Sequence, residues 1–489
     1  MSEKLTIIVH EYNGNILALL FNGEGWYDAK LRDYIGDSLH IDIIENDKGA
    51  LRWGIDVGNW KDLGKKGVKT FDDNKKLIYE LKEGHFAKKE EMMKLLGEFN
   101  KVDFSKLSNK GILNYFNKIL KIDNCICAEG FTFVAIDLAN DFLTNKLNSI
   151  LEKKAKSNKA EYFSILTTPD EDPLTSEESK EILELALHIK QGKLKASAKN
   201  KAIHNHWKKW CWITYALSGP ELPMEFFVEQ INDLISKNNL QEILKHKKQK
   251  RDLIKEKIAK AKTDLSLSDE DAYYFDLGRN VVFLKGLRKE VLILSYYLLA
   301  MLVKEMSKRY FIPFNDLRFC TIEEIRALLE KEKIPSIKEL SQRKDYCVIF
   351  RTGVRVEKVL IGEEAKKFFK EHVNQEEIER NLDELHGQVA SPGFVQGIVK
   401  IVNSAEDISK VTEQDILVST ATQPDLLPAM KKAKGIITEQ GGLTCHAAIV
   451  SRELGVPCIV GVKFATKILK DNDKVELDAS HGIIRVIKG

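Results

Sequence analysis

The chain has 489 residues, more than one hydrophobic core usually holds, so two to four domains are expected. Its 43% hydrophobic and 30% charged residues describe a folded soluble chain and exclude a disordered one, and a net charge of +3 argues against a dedicated nucleic-acid binder. Seven cysteines without a regular framework suit a reducing cytoplasm; no secretory head precedes the first apolar run, and the longest apolar stretch, "VLILSYYLLAMLV" at 291–303, is too short to cross a bilayer.

Residues 1–75 read as β-rich. "LTIIVHEY", "NILALLFNG" and "SLHIDIIEND" are short apolar or alternating runs cut by Asn, Gly and Asp, the pattern of strands and turns. Residues 76–384 read as mainly helical, with apolar residues at helical spacing and Ser, Thr or Asp at the expected N-caps. Within them "YCVIFRTGVRVEKVLIG" predicts a strand pair, and "EEAKKFFKEHVNQEEIERNLDE" a charged connecting helix. Residues 385–489 alternate short β-type runs with "LLPAMKKAK" and "CHAAIVSREL", which predicts a compact α/β domain. The fold class expected is therefore multidomain α+β: a β-rich N-terminal region, a large helical middle and a C-terminal α/β domain.

Two stretches of the middle invite a functional reading. In "HNHWKKWCWITYALSGPELP" the histidines His204 and His206 lie two apart, so a helix points them to nearly opposite sides, and a shared metal is not expected. Trp207, Trp210 and Trp212 read as packing residues, with an aromatic ligand pocket as the sharper alternative. The Lys-rich "KHKKQKRDLIKEK" reads as a solvated helix face rather than a site for an acidic partner.

The chemistry is concentrated in "TEQGGLTCHAAIVSRELGVPCIVGV". Thr444 or Cys445 can cap a helix beginning at His446, with Gly455 placed at C′ and Pro457 stopping further winding. The amides at that helix end lack intrahelical partners and the dipole makes the end positive, which disfavours a protonated imidazole and favours an anion. A histidine there is expected to be neutral, with a ring lone pair able to accept and donate a phosphoryl group. Gly441 and Gly442 would let the backbone turn sharply. On the residues alone a capped surface histidine is the plain alternative. A thiol nucleophile is disfavoured, because adjacent residues at a helix start point apart and Cys445 cannot use His446 as its base. No CxxC or HExxH run accompanies them, so no metal is expected.

"GGLTCHAAIVSRELGVPCIVG" resembles the phosphohistidine signature of the phosphoenolpyruvate-utilising enzymes, which include phosphoenolpyruvate synthase, pyruvate phosphate dikinase, enzyme I of the sugar phosphotransferase system and rifampicin phosphotransferase. The Thr-Cys-His form is most similar to that of phosphoenolpyruvate synthase. "VASPGFVQGIVKIV" resembles the family's opening hairpin, and "DILVSTATQPDLLPAMKKAKGIIT" the threonine-bearing loop before the signature, here with Thr422 and Asp425. Ser451 departs from the Ala that relatives often carry. The resemblance implies a swivelling domain over residues 385–489 with His446 as phosphoryl carrier. It implies that Thr444 and Thr422 bond the phosphoryl oxygens, that Gly441, Gly442 and Cys445 build the supporting loop, and that Arg452 supplies a nearby positive charge.

The remaining parts of such an enzyme are not legible. No Walker-type loop and no Gly-Gly-Lys opening occurs before residue 385, and the chain ends directly after the carrier, so no phosphoenolpyruvate barrel is expected to follow. The expected function is phosphotransfer on His446 between a nucleotide or phosphoenolpyruvate site and an acceptor, as in a split dikinase-like enzyme. ATP and Mg2+ are expected on a separate ATP-grasp partner subunit. A small-molecule acceptor is expected, nucleic acid and membrane are not, and a homodimer is one assembly the sequence allows. The alternatives are a non-catalytic binding or regulatory protein that keeps the carrier fold, and a small-molecule phosphotransferase whose acceptor sits in the helical region. The charged run at 370–388 is expected to be the linker, with rotation near 385–389 around Gly387.

Overall fold

The computed structural model describes residues 4–11, 15–27, 29–138, 141–215, 217, 219–237, 239–374, 384–422, 426–442 and 445–487. Two sheets and a helical body organise these residues. The first sheet holds β1 (Thr6–Glu11), β2 (Ile41–Asp47), β3 (Ala50–Ile55), β4 (Tyr346–Thr352) and β5 (Arg355–Ile361) in the order β1-β3-β2-β4-β5, with antiparallel neighbours throughout.

Alternation along these strands gives the sheet two buried faces. Ile44, Trp53, Cys347 and Ile349 join the main core, whereas Ile43 and Val348 pack with Ala365 and Phe369 of the Gly362–His372 helix. The β2–β4 join is tied by a buried ion pair. Arg351 donates from Nε to Asp42 Oδ1 at 2.9 Å, and Trp53 Nε1 donates to Asp42 Oδ2 at 2.8 Å. Removing one partner of such a pair is costly, because the other charge is left buried and unpaired.

Two expectations for residues 1–75 change here. "NILALLFNG" is the helix Ile16–Glu24, not a strand; Asn15 caps it by accepting from the Ala18 amide at 3.1 Å. A nine-residue apolar run does not by itself distinguish a buried strand from a buried helix turn. The helix Val57–Asp73 also lies inside this stretch. The N-terminal strands form one sheet with residues more than 290 positions away, as the pairing of Ile44 with Ile349 shows.

The middle is helical, built around the long Asp269–Tyr310 helix, which packs on the Asn109–Leu138 and Leu77–Phe99 helices. Ser268 and Asp271 form a capping box at the start of the long helix. Trp210 and Trp212 are buried core residues, His206 bonds Glu178 at 3.1 Å, and His204 packs on the Trp207 ring. Leu240–Asp264 carries the Lys-rich run on a largely exposed surface.

The C-terminal sheet has eight strands: β6 (Glu384–His386), β7 (Gln388–Ser391), β8 (Phe394–Ile401), β9 (Asp415–Ser419), β10 (Gly435–Thr438), β11 (Cys458–Val460), β12 (Lys474–Asp478) and β13 (Ile483–Val486). Their order is β6-β13-β12-β8-β9-β10-β11-β7. β8, β9, β10 and β11 run parallel, and the other neighbours are antiparallel. The two ends of that order, β6 and β7, are one stretch of chain separated only by Gly387, so the sheet closes on itself. Ile416, Val418, Ile437 and Ile459 fill one side of it; Leu417, Ile436, Cys458 and Val460 face the Leu427–Lys432 and His446–Leu454 helices on the other.

This closure overturns the expected hinge. Leu385 is 4% exposed, and a Cβ at Gly387 would come within 2.6 Å of Ile459 and Val462 methyls and 2.7 Å of the Val460 carbonyl. Residues 385–389 are a packed seam of the sheet, and the glycine is there for close approach rather than rotation. The rest of the expected linker, residues 375–383, lies outside the described residues.

Candidate functional site

β10 ends at Thr438 and feeds the glycine loop, and the helix His446–Leu454 starts eight residues further on. Gly441 has φ +110, and a Cβ there would lie 2.7 Å from both Cβ and Sγ of Cys445. Only glycine fits that position. Gly442 is different: a Cβ there would meet nothing nearer than Gln388 Oε1 at 3.8 Å. Gly455 ends the helix in the left-handed region at φ 68, and its amide donates to the Ser451 carbonyl, as the sequence predicts.

Cys445 is the N-cap residue in extended conformation, and its side chain makes no capping hydrogen bond. Burial raises its thiol above the ordinary range, opposed by the Ala448 and Ala447 amides and by the charges of Arg452 and Lys285. Cys445 is therefore a neutral thiol at physiological pH, not a thiolate nucleophile.

His446 is half-buried in the first turn, and Thr422 Oγ1 lies 3.0 Å from its Nδ1. Burial, and then the charge of Lys289, hold the imidazole far below its ordinary value, at about 3. The ring is neutral over the whole physiological range. The contact fits either tautomer; in the one whose Nδ1–H donates to Thr422 Oγ1, the lone pair of Nε2 is left open for attack. Thr422 is itself 6% exposed, and its loop begins where Thr420 N donates to Asn403 Oδ1 at 2.9 Å. Thr444 and Asp425 lie outside the described residues.

Arg452, whose charge bears on Cys445, makes contacts of its own. Its Nε donates to the Ala390 carbonyl at 2.7 Å, and its guanidinium sits 5.9 Å from the Phe163 ring, on the Lys159–Thr167 helix of the helical body. Glu453 reaches Lys250 at 3.9 Å. These contacts dock the C-terminal sheet on the helical body with His446 facing it.

The facing surface carries the residues that sequence reasoning missed. Lys289 is the cation that bears on His446, and Lys285, one turn earlier, bears on Cys445. Lys285 in turn feels the carboxylates of Asp137 and Asp141. Burial and the neighbouring Asp137 raise the Asp141 carboxyl, which bonds the Gln388 side chain. The Gln388 Oε1 atom is buried without a partner of its own. The signal available in the sequence was a glycine between two lysines on one helix stripe, which means nothing until the fold sets it opposite His446. Among the described residues, no three His, Cys, Asp or Glu side chains are grouped to hold a metal, and no helix is long and apolar enough to cross a membrane.

Residues 411–482 match the model of the PEP-utilising enzyme, mobile domain family. The probable phosphoenolpyruvate synthase of Archaeoglobus fulgidus is 55% identical over 119 residues, covering 24% of this chain and 16% of that protein. That of Methanothermobacter thermautotrophicus is 53% identical over 98 residues (20% of this chain and 14% of that protein), and the phosphoenolpyruvate synthase of Pyrococcus furiosus 52% over 109 residues (22% and 13%). The matched segment thus spans about a sixth or less of these curated relatives' length.

Proposed function

We propose that this chain is a phosphotransfer protein that takes a phosphoryl group on Nε2 of His446 from a donor and passes it to an acceptor. One observation carries the reading: a neutral imidazole, bonded through Nδ1 to Thr422, at the open amide end of a helix inside a PEP-utilising mobile domain. A helix start is a place where backbone N–H groups and the dipole favour a phosphoryl anion. The glycine loop brings backbone close to that point, and the neutral Cys445 leaves the histidine as the sole strong nucleophile of the pair. On this reading the donor is ATP, with Mg2+, held on an ATP-grasp partner subunit.

The helical body provides a second reading of where the acceptor sits. A cavity of about 600 Å3 in the helical body is lined by Gly64, Lys65, Val68, Ile136, Phe142, Asn145 and Lys146. Its size suits a small organic molecule.

The test is dependence on the partner. The purified chain with labelled ATP alone should stay unlabelled, and addition of an ATP-grasp partner should bring one acid-labile phosphoryl group per chain. Stoichiometric labelling by ATP without a partner would remove the split-enzyme reading, and no labelling in either case would remove the carrier role from the chain.

A further inference from the structure

We propose that Asn403 is a positioning residue of the phosphoryl carrier: its carboxamide oxygen holds the chain that leaves β9, and so sets the Thr422 hydroxyl against Nδ1 of His446. The inference rests on the phosphotransfer reading and deepens it, because it assigns a residue outside the glycine loop and the His446 helix to the same chemistry.

The end of a parallel ladder creates the need. β8 and β9 pair up to Ile401 and Val418, and the Val402 amide donates to the Val418 carbonyl at 2.9 Å. A continuing parallel ladder would next bring the Thr420 amide to the Val402 carbonyl. β8 has ended at Ile401, and Thr420 N donates instead to Asn403 Oδ1 at 2.9 Å. The Ser419 hydroxyl lies 3.2 Å from the same oxygen and 3.0 Å from the Ala421 carbonyl, so its one proton is shared between them. A backbone N–H can only donate, so the oxygen of the Asn403 carboxamide, not its nitrogen, faces this segment.

Backbone holds the other side of the segment. The Glu439 amide donates to the Ser419 carbonyl at 3.0 Å, and the Gln440 amide to the Thr420 carbonyl at 2.9 Å, just before the glycine loop. Asn403 is itself anchored. Its amide donates to Asp407 Oδ2 at 3.2 Å; Asp407 also forms a capping box with Ser404 and pairs with Lys410 at 2.6 Å. Ser419 and Thr420 are buried, so a Thr420 amide deprived of Asn403 would be left without an acceptor, at the cost of its desolvation. The contacts thus run from Asp407 through Asn403 to Thr420, along two residues of chain to Thr422, and across 3.0 Å to Nδ1 of His446. Asn403 acts through Thr422. A hydroxyl held at Nδ1 favours the tautomer whose Nδ1–H it accepts, which leaves Nε2 as the nucleophile; a hydroxyl free to move releases that preference.

Phosphoramidate tests this in the full-length chain without any partner. The Nε2 lone pair attacks phosphorus, the reagent's P–N bond breaks, and ammonia leaves with its electron pair. N403L keeps much of the side-chain volume and removes the acceptor. It should be labelled on His446 about five- to tenfold more slowly than wild type, the factor that one hydrogen bond supplies. In 15N NMR of the unlabelled chain, the Nδ1–H tautomer of His446 should lose ground by a similar factor, which a loss of stability alone would not cause. N403D, which keeps an oxygen for the Thr420 amide and the Ser419 hydroxyl, should restore most of the tautomer preference. N403A repeats the test if leucine at this position folds poorly. A wild-type rate and tautomer ratio in N403L, or a tautomer shift that N403D does not restore, would overturn the positioning role, with His446 still labelled and the carrier reading intact. Absence of label on His446 in the wild type would overturn both.

Discussion

Thr422 Oγ1 and His446 Nδ1 lie 3.0 Å apart, although 24 positions separate them in the chain. The contact joins the loop after β9 to the first turn of the His446–Leu454 helix, and it decides which ring nitrogen faces outward.

Replacing Thr422 by valine removes the Nδ1 partner while keeping the shape. A single hydrogen bond of this kind contributes about 1 kcal/mol, so the preference for the Nδ1–H tautomer should fall roughly five- to tenfold. Two-dimensional 15N NMR of the imidazole reads this directly. An unchanged tautomer ratio in T422V would mean that the contact does not set the ring's protonation.

The two loop glycines should respond differently. G441A forces a side chain into φ +110 and within 2.7 Å of Cys445, whereas G442A meets only open space out to 3.8 Å. The first should lower stability by more than about 1 kcal/mol and the second by a few tenths at most. Thermal unfolding of the two variants beside wild type is the check; equal losses would contradict the loop geometry.

Gly387 offers a third test. G387A presses a methyl against Ile459, Val462 and the Val460 carbonyl at the seam where the sheet closes. Overpacking of this kind costs about 1–3 kcal/mol. If residues 385–389 were instead a free hinge, the substitution would leave the unfolding midpoint unmoved.

That contrast shows how far the sequence could be read. The Gly455 and Pro457 stop, the helix start and the carrier motif are local signals, each fixed by backbone conformation within a few residues, and each was legible. A lone glycine in a charged run looks like a hinge, and Gly387 reads as one; only the packing of Ile459 and Val462 reveals a close approach instead. "NILALLFNG" reads as a strand because its apolar run is short and its cap, Asn15, also resembles a turn residue. The pairing of β2 with β4 joins segments about 300 positions apart through Asp42 and Arg351, and no local pattern announces it. The lysines that face His446 were invisible for the same reason.

Docking should depend on acidity in a defined direction. Docked, burial and Lys289 hold His446 at about 3, and undocking, which exposes the ring, lets it rise toward its ordinary value of 6.5. Above 6.5 the ring is neutral in both states and docking is insensitive to this group. Between 6.5 and 3 the undocked form binds a proton that the docked form does not, so docking weakens by about tenfold per pH unit. Asp137, Asp141, Lys285, Lys289 and Cys445 share the interface, and the raised Asp141 carboxyl opposes part of the trend at its acid end. Energy transfer between dyes on the carrier and the helical body should report opening below about pH 6 in wild type and a flatter profile in H446Q. Identical profiles would show that His446 is not the group that titrates.

The measurement closest to the central claim is the location of the phosphoryl group. After exposure of the full chain to phosphoramidate, intact mass and fragment mapping should find one added phosphoryl group on His446, labile in acid and stable in base. It should vanish in H446A and persist in C445S. A label that survives H446A, or that is lost with C445S alone, would contradict the account and move the chemistry from the imidazole to the thiol or to another residue.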